Sequence, residues 1–157
     1  MLSIYAATAQ PSVFPDEDGD CQFAPGPKGS AQHLVRLGIT PGDYKMIDQY
    51  DVLHTGIDSN IDKDLVTLKK HLKVSFDFSD VHNEGYQLAT LPNVNYAFFS
   101  GSELNEEKAQ KFSSKCLAIG PDVVVVTRGG DPALVMDRNG YYYQAHSRQG
   151  CRYNGDG

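Results

Sequence analysis
The chain has 157 residues, with 14 Lys and Arg against 20 Asp and Glu and a formal net charge of −6. That length suits one domain with a core of useful size, and 40% hydrophobic with 22% charged residues excludes a globally disordered chain. The acidic balance gives no overall electrostatic footprint for nucleic acid or an anionic membrane, and the longest apolar run is far too short to cross a bilayer.

Residues 5–42 read as irregular, broken by five prolines from Pro11 to Pro41. Within them, Ser12-Val13-Phe14 and Cys21-Gln22-Phe23 flank an acidic turn at Asp16-Glu17-Asp18-Gly19-Asp20. This predicts a small β-hairpin, with Pro15 confining it to an edge or flap. Thr40-Pro41-Gly42-Asp43 has the residues of a helix start, and a short helix is expected through about Gln49. Val52–Thr55 reads as a short buried strand. Ser59-Asn60-Ile61-Asp62 has capping-box spacing, and Ile61, Leu65, Leu68 and Leu72 fall on one face of the helix expected after it. Lys69, Lys70 and Lys73 lie near that helix's end, where cations favour the helix dipole.

Lys73–Phe78 is the next expected strand, and Tyr86–Leu91 a short helix stopped by Pro92. Asn95–Phe99 is a third strand. Ser102 is the expected cap of a helix with Glu103, Glu106 and Glu107 at its start, and Leu104, Phe112 and Cys116 on its buried face. Gly120-Pro121 ends it. Val123–Val126 is apolar on both faces, as in the middle of a parallel sheet. Ala133–Met136 and Tyr141–Gln144 flank Asn139-Gly140, a strong hairpin signal. Strands alternating with helices imply a parallel sheet with helices on both faces.

The three cysteines, Cys21, Cys116 and Cys151, are odd in number and form no Cys-x-x-Cys pair. A reducing compartment follows more simply than a disulfide framework or zinc site. The amino-terminal stretch lacks a basic region, so the cytoplasm is the expected location.

Gly26-Pro27-Lys28-Gly29-Ser30 only mimics a phosphate loop, because no strand leads into it. The five histidines show no metal-ligand spacing. His54 stands at a strand end, either lining a cleft or as a partly buried polar residue with a hydrogen-bond partner. Asp77 and Asp80 close a strand at the carboxyl edge of the expected sheet, where ligands bind. They could hold Mg²⁺ or simply shape a turn. Ser100–Glu107 lies at the same edge, and its carboxylates could orient a metal-bound water or favour a helix N-terminus. Thr127-Arg128-Gly129-Gly130-Asp131 follows the Val strand directly. A hydroxyl and two glycines there permit close backbone approach to a phosphate.

Taken in order, these segments resemble the ribokinase-like (PfkB) carbohydrate kinases. The resemblance is carried by Asp48–His54, Phe76-Asp77-Phe78-Ser79-Asp80, Asn95–Ser100 and Val123–Gly129, and covers most of residues 8–145. It implies a three-layer α/β/α fold, here incomplete, with a mostly parallel sheet, a lid-hairpin remnant and a carboxyl-terminal hairpin. Residues 1–42 would be the lid remnant and linker, 43–147 a partial α/β domain, and 148–157 an irregular tail. The resemblance further implies ATP and Mg²⁺ as cofactors, a sugar or sugar-amine substrate, and dimerisation through the lid strands. Thr127 and Gly129 match the family's Thr-x-Gly-x-x-Gly nucleotide turn, whose last glycine is replaced by Pro132. Glu103 stands nearest to the family's Asn-x-x-Glu metal motif, with Ser100 where Asn is expected, and Asp77 is a second candidate for the metal. Cys21 stands where the lid usually carries Arg.

The family's amino-terminal Gly-Gly sugar segment has no counterpart, nor has its Gly-Ala-Gly-Asp catalytic segment. Gly155-Asp156 echoes the latter, which makes Asp156 the one candidate for the base. The sequence reading is therefore a fragment of a sugar kinase with little or no turnover by itself. Its alternatives are a non-catalytic nucleotide-binding or dimerisation module, or the non-functional product of a truncated gene.

Overall fold
A computed structural model describes residues 6–8, 10, 12–15, 21–24, 31–34, 38–80, 82–140 and 142–145. The Gly26–Ser30 mimic, Asp156 and the tail of residues 148–157 lie outside the described residues. The hairpin expected near the start is present: β1 (Val13–Pro15) pairs antiparallel with β2 (Cys21–Phe23), and Pro15 lies opposite Cys21. Two short helices follow, α1 (Ala31–Leu34) and α2 (Pro41–Ile47). The start of α2 is as the sequence predicts. The backbone N–H and hydroxyl of Thr40 both donate to the Asp43 carboxylate, at 2.7 Å each, so Asp43 reaches back to satisfy the entering chain.

The main sheet has six strands in sequential order: β3 (Val52–Gly56), β4 (Lys73–Asp77), β5 (Tyr96–Ser100), β6 (Val123–Arg128), β7 (Asp131–Asp137) and β8 (Tyr142–Ala145). The first four run parallel; β7 pairs antiparallel with β6, and β8 antiparallel with β7. The Val strand β6 is thus central, but it marks the border between parallel and antiparallel pairing. Gly140, at φ 79°, makes the turn into β8.

Three helices connect the parallel strands: α3 (Leu65–Leu68), α4 (Glu84–Thr90) and α5 (Glu106–Ile119). When parallel neighbours follow one another in sequence and every crossover has the same hand, the connections fall on one face. Burial agrees. The register row Thr55, Phe76, Ala97, Val124, Met136 carries fully buried Phe76, Ala97 and Val124. The neighbouring row adds Phe99, Val126 and Leu134. Phe78 stacks on Phe99 at 4.6 Å, and Phe112 of α5 meets Phe99 edge-on at 4.8 Å. On the opposite face, the row Asp77, Phe98, Val125, Val135, Tyr143 is half-buried to exposed. The described helices therefore supply one layer over the sheet, in keeping with an incomplete three-layer fold.

Two helix starts differ from expectation. The capping box at residues 59–62 does not form. The Ser59 hydroxyl donates to Gly56 O, and Asn60 sits in the left-handed region at φ 56°. The segment divides into two short 3₁₀ turns before the single turn of α3, although Leu65, Leu68 and Leu72 are buried as the spacing predicts. Ser102 does not cap α5. Asn105 does, its side chain accepting the Lys108 N–H at 3.0 Å. Residues 101–104 are instead used in a turn closed by Leu104 N–H to Gly101 O. Lys69 is held by the carbonyls of Pro92 and Val94, both at 2.9 Å, rather than by its helix end. Gly120 ends α5 where an added Cβ would lie 2.6 Å from Leu91 O, so only glycine permits that approach.

Candidate functional site
The carboxyl ends of β4, β5 and β6 lie side by side, and their loops are fastened to one another through backbone bonds. Ser100 N–H donates to Ser79 O at 2.7 Å, and Gly101 N–H donates to Thr127 O at 2.8 Å. The Thr127 hydroxyl donates to Phe99 O at 3.3 Å. Sequence order alone places Asp77, Glu103, Thr127 and Gly129 far apart. The parallel register brings all four to this one edge. Gly101 fits there for want of a side chain, since a Cβ would press on Leu104 and Val126.

Each candidate has a defined local setting. Asp77 is exposed and its Oδ1 accepts the Ser79 N–H at 2.7 Å. Ser79 is a non-glycine residue at φ 52°, so this turn holds some backbone strain at the edge. Glu103 lies before α5, not in it, and its side chain is 63% exposed. Gly129 has φ 59°, the left-handed conformation its position requires, and a Cβ at Gly130 would meet open space. A ligand can therefore approach this backbone closely. Pro132 lies inside β7 and lacks an N–H, yet the turn is closed another way. Arg128, only 6% exposed, donates Nε–H to Pro132 O at 2.8 Å and lies 3.7 Å from Asp131.

Other candidates do not join the edge. His54 lies within β3, two residues before its carboxyl end, with Nδ1 2.9 Å from the Ser75 hydroxyl and its ring edge-on to Phe98. It has the hydrogen-bond partner of one of the two readings of the sequence, but it is exposed rather than partly buried. Two contributors escaped the sequence reading. Arg128 looked like a turn residue, and its burial is set by the bulge between Val126 and Arg128. His82 follows β4 and bonds to the carbonyl of Ser100 at 2.9 Å; no local spacing signals a partner eighteen residues on.

The roomiest described cavities do not coincide. One of about 590 Å³ lies at the opposite edge, beneath the end of α5 and the 137–140 turn. Its cationic group, Arg138, is already committed to the carbonyls of Gly120 and Pro121 and lies 3.6 Å from Asp122. The Asp122 carboxyl is held below its ordinary value by the Asn95 amide first, with Lys73 and Arg138 adding to it. Those charges brace the end of α5 against the 137–140 turn. A smaller cavity of about 210 Å³ opens at the carboxyl edge beside Asp58, Asp77 and Ser79.

Among the described residues no group of three or more His, Cys, Asp or Glu could hold a metal ion. Mg²⁺ carried by phosphates would keep its waters and take one or two protein carboxylates. Glu103 and the free oxygen of Asp77 are suitable donors. No described helix is long and apolar enough to cross a membrane.

No family model matches the chain. Known proteins do. The chain is 36% identical over 129 residues to fructosamine kinase FrlD of Bacillus subtilis (strain 168), across 82% of this chain and 45% of that protein. It is 27% identical over 114 residues to fructoselysine 6-kinase of Shigella flexneri, across 71% and 43%. Among solved structures, Arabidopsis thaliana ribokinase complexed with ribose and ATP superposes with a TM-score of 0.70 at 13% identity, covering 94% of this chain and 51% of that one. The chain is ribokinase-like in its fold, as the sequence order implies. In sequence it is similar to the fructosamine and fructoselysine kinases, and it spans somewhat under half the length of those relatives.

Proposed function
We propose that this chain carries the nucleotide side of an ATP-dependent sugar kinase of the fructosamine and fructoselysine type. The observation that supports it most is the joining of the β4, β5 and β6 loops at one carboxyl edge, in a chain similar to fructosamine kinase FrlD. When bound, ATP supplies the phosphoryl group and Mg²⁺ neutralises its oxygens. The chain's own residues position them. The Thr127–Gly130 turn lets phosphate approach the backbone, Gly129 holding the left-handed conformation that opens it. Glu103, in the loop after β5, is the candidate to take up the water shell of the cation, with Asp77, at the end of β4, as the second candidate. The fastening of the three loops fixes these groups before nucleotide arrives, and preorganisation of that kind carries most of phosphoryl-transfer catalysis. Asp156 is the candidate to accept the sugar hydroxyl proton.

Calorimetry with MgATP tests the reading. Saturable heat is expected, and no heat at high protein concentration overturns it. No Gly-Ala-Gly-Asp segment occurs in the sequence, so little or no phosphorylation of fructoselysine is expected from this chain by itself. Turnover at the rate of an intact kinase would correct that part. Val13 and Phe14 of the small hairpin are exposed, which favours pairing of two copies through these strands. A monomer by sedimentation at all concentrations would remove it. A cytoplasmic location is part of the same proposal.

A further inference from the structure
We infer that His82 is a positioning residue for Glu103, an inference that rests on the reading of Glu103 as the carboxylate serving the phosphate-borne cation. His82 lies in the loop after β4, while Glu103 lies in the loop after β5. The imidazole is set against Phe112 of α5 at 5.2 Å and Phe99 of β5 at 6.2 Å. Its Nε2 is 2.9 Å from Ser100 O. A carbonyl only accepts, so Nε2 carries the hydrogen in this contact. The same nitrogen is 3.7 Å from Glu103 Oε1. One N–H is thus shared in direction between a backbone carbonyl that it binds and a carboxylate just beyond hydrogen-bond reach.

The consequence is mechanical and electrostatic. The segment from Ser100 to Glu103 is held at Ser100 N–H by Ser79 O, at Gly101 N–H by Thr127 O, and at Ser100 O by His82. His82 is the side chain that ties the loop after β4 to the one that carries Glu103. Glu103 is long and exposed, so fixing it costs rotamer freedom. A donor beside Oε1 biases the carboxylate toward the sheet edge, leaving its other oxygen for the cation's water shell. Partners one step removed from a metal-serving group act in this way, and removing them weakens metal-dependent binding about 10- to 100-fold.

The test separates this role from that of a packing strut. His82→Phe keeps the ring against Phe99 and Phe112 and removes the donor. His82→Gln puts an amide N–H at similar reach. MgATP affinity by calorimetry and the urea midpoint are measured for each, with Glu103→Gln and the double variant His82→Phe/Glu103→Gln. The expectation is a loss of about tenfold in MgATP affinity for His82→Phe with an unchanged midpoint, and recovery of most of it in His82→Gln. The double variant should bind no more weakly than Glu103→Gln. Binding of ATP without Mg²⁺ should be alike in all of them. His82→Leu replaces His82→Phe should the latter not fold. Wild-type affinity in the donorless variant overturns the inference and leaves the kinase reading standing, and so do losses that simply add. Unchanged affinity in Glu103→Gln removes Glu103's role and this inference with it. Absence of MgATP binding by the unaltered chain overturns the kinase reading itself.

Discussion

The two faces of the main sheet are built from the same strands and differ in almost every respect. One face carries Phe76, Ala97, Phe99, Val124, Val126 and Leu134, all buried, under the helices that connect the parallel strands. The other carries Phe98, Val125 and Val135, half-buried, and Tyr143 at 67% exposure. In the Val strand sequence does not separate them, because residues of both faces are apolar. Val123-Val124-Val125-Val126 is the same residue four times, alternately half-buried and buried. What separates them is connectivity: sequential parallel strands send every crossover to one side. Parallel strands apolar on both faces ordinarily have both covered, so the difference measures how far this chain completes its own fold.

The largest test of that contrast is a pair of truncations in adjacent rows. Phe76 is fully buried and touches Phe78 at 4.8 Å. Phe76→Ala should cost about 3–5 kcal/mol, enough to remove cooperative unfolding from a marginal domain. Phe98→Ala, on the open face, should cost less, because that ring is only partly buried and no described helix packs over it. Urea titrations of both decide it. Equal losses would mean the second face is as well covered as the first.

Cys116 offers a chemical probe of the same layer. It lies on the sheet side of α5, and burial pushes its thiol up to about 12 from an ordinary 9.0. The folded chain therefore holds the proton that the unfolded chain loses above pH 9. This stability is fully present below pH 9 and drains away as pH rises toward 12, at no more than about 1.4 kcal/mol per pH unit. Cys116→Ala removes the contribution, so the stability difference between the two proteins should shrink from pH 8 to pH 11. A thiol reagent should react with Cys116 only on unfolding. Rapid labelling of Cys116 itself in the folded chain at pH 8, located by peptide mapping because Cys21 and Cys151 are also present, would show that α5 does not seal its side of the sheet.

Much of this architecture is legible in the sequence, and the failures share a cause. The Thr40–Asp43 start of α2, the strands at Lys73, Tyr96 and Val123, and the Asn139-Gly140 turn are all set by neighbours in the chain. Glycines after the Val strand mark the turn at residues 128–131 for the same reason. The helix expected from Ser59 is lost because its hydroxyl finds Gly56 O instead, a local competition that short polar side chains often win against helix. The side on which the helices lie cannot be read from any segment, because it is a property of strand order. His82 and Arg128 were missed for a similar reason, since each acts on a backbone carbonyl supplied by the fold.

Smaller effects sharpen the contrast where α5 begins. Asn105→Ala should cost about 1 kcal/mol by stripping the cap that holds the Lys108 N–H, while Ser102→Ala should cost almost nothing. Denaturant midpoints of the two variants check the corrected helix start directly. If Ser102→Ala were the more damaging, the turn at residues 101–104 would be part of the helix after all, and Glu103 would sit in its first turn instead of standing free at the sheet edge.

The smallest expected effect is the most telling about the open face. Val135 lies between Val125 and Tyr143 in the register, and Val135→Thr changes a methyl into a hydroxyl with little change of shape. On a face that meets water the hydroxyl keeps its hydrogen bonds, and the change should fall within about 0.5 kcal/mol by urea titration. On a sealed face the same hydroxyl would lose its water and cost about 1–3 kcal/mol. The substitution therefore reads the solvent at one point of the sheet. Repeated with any second component that restores a covering layer, it should turn from silent to destabilising. Silence in both settings would place Val135 beyond that layer and confine the covered area to β3–β6.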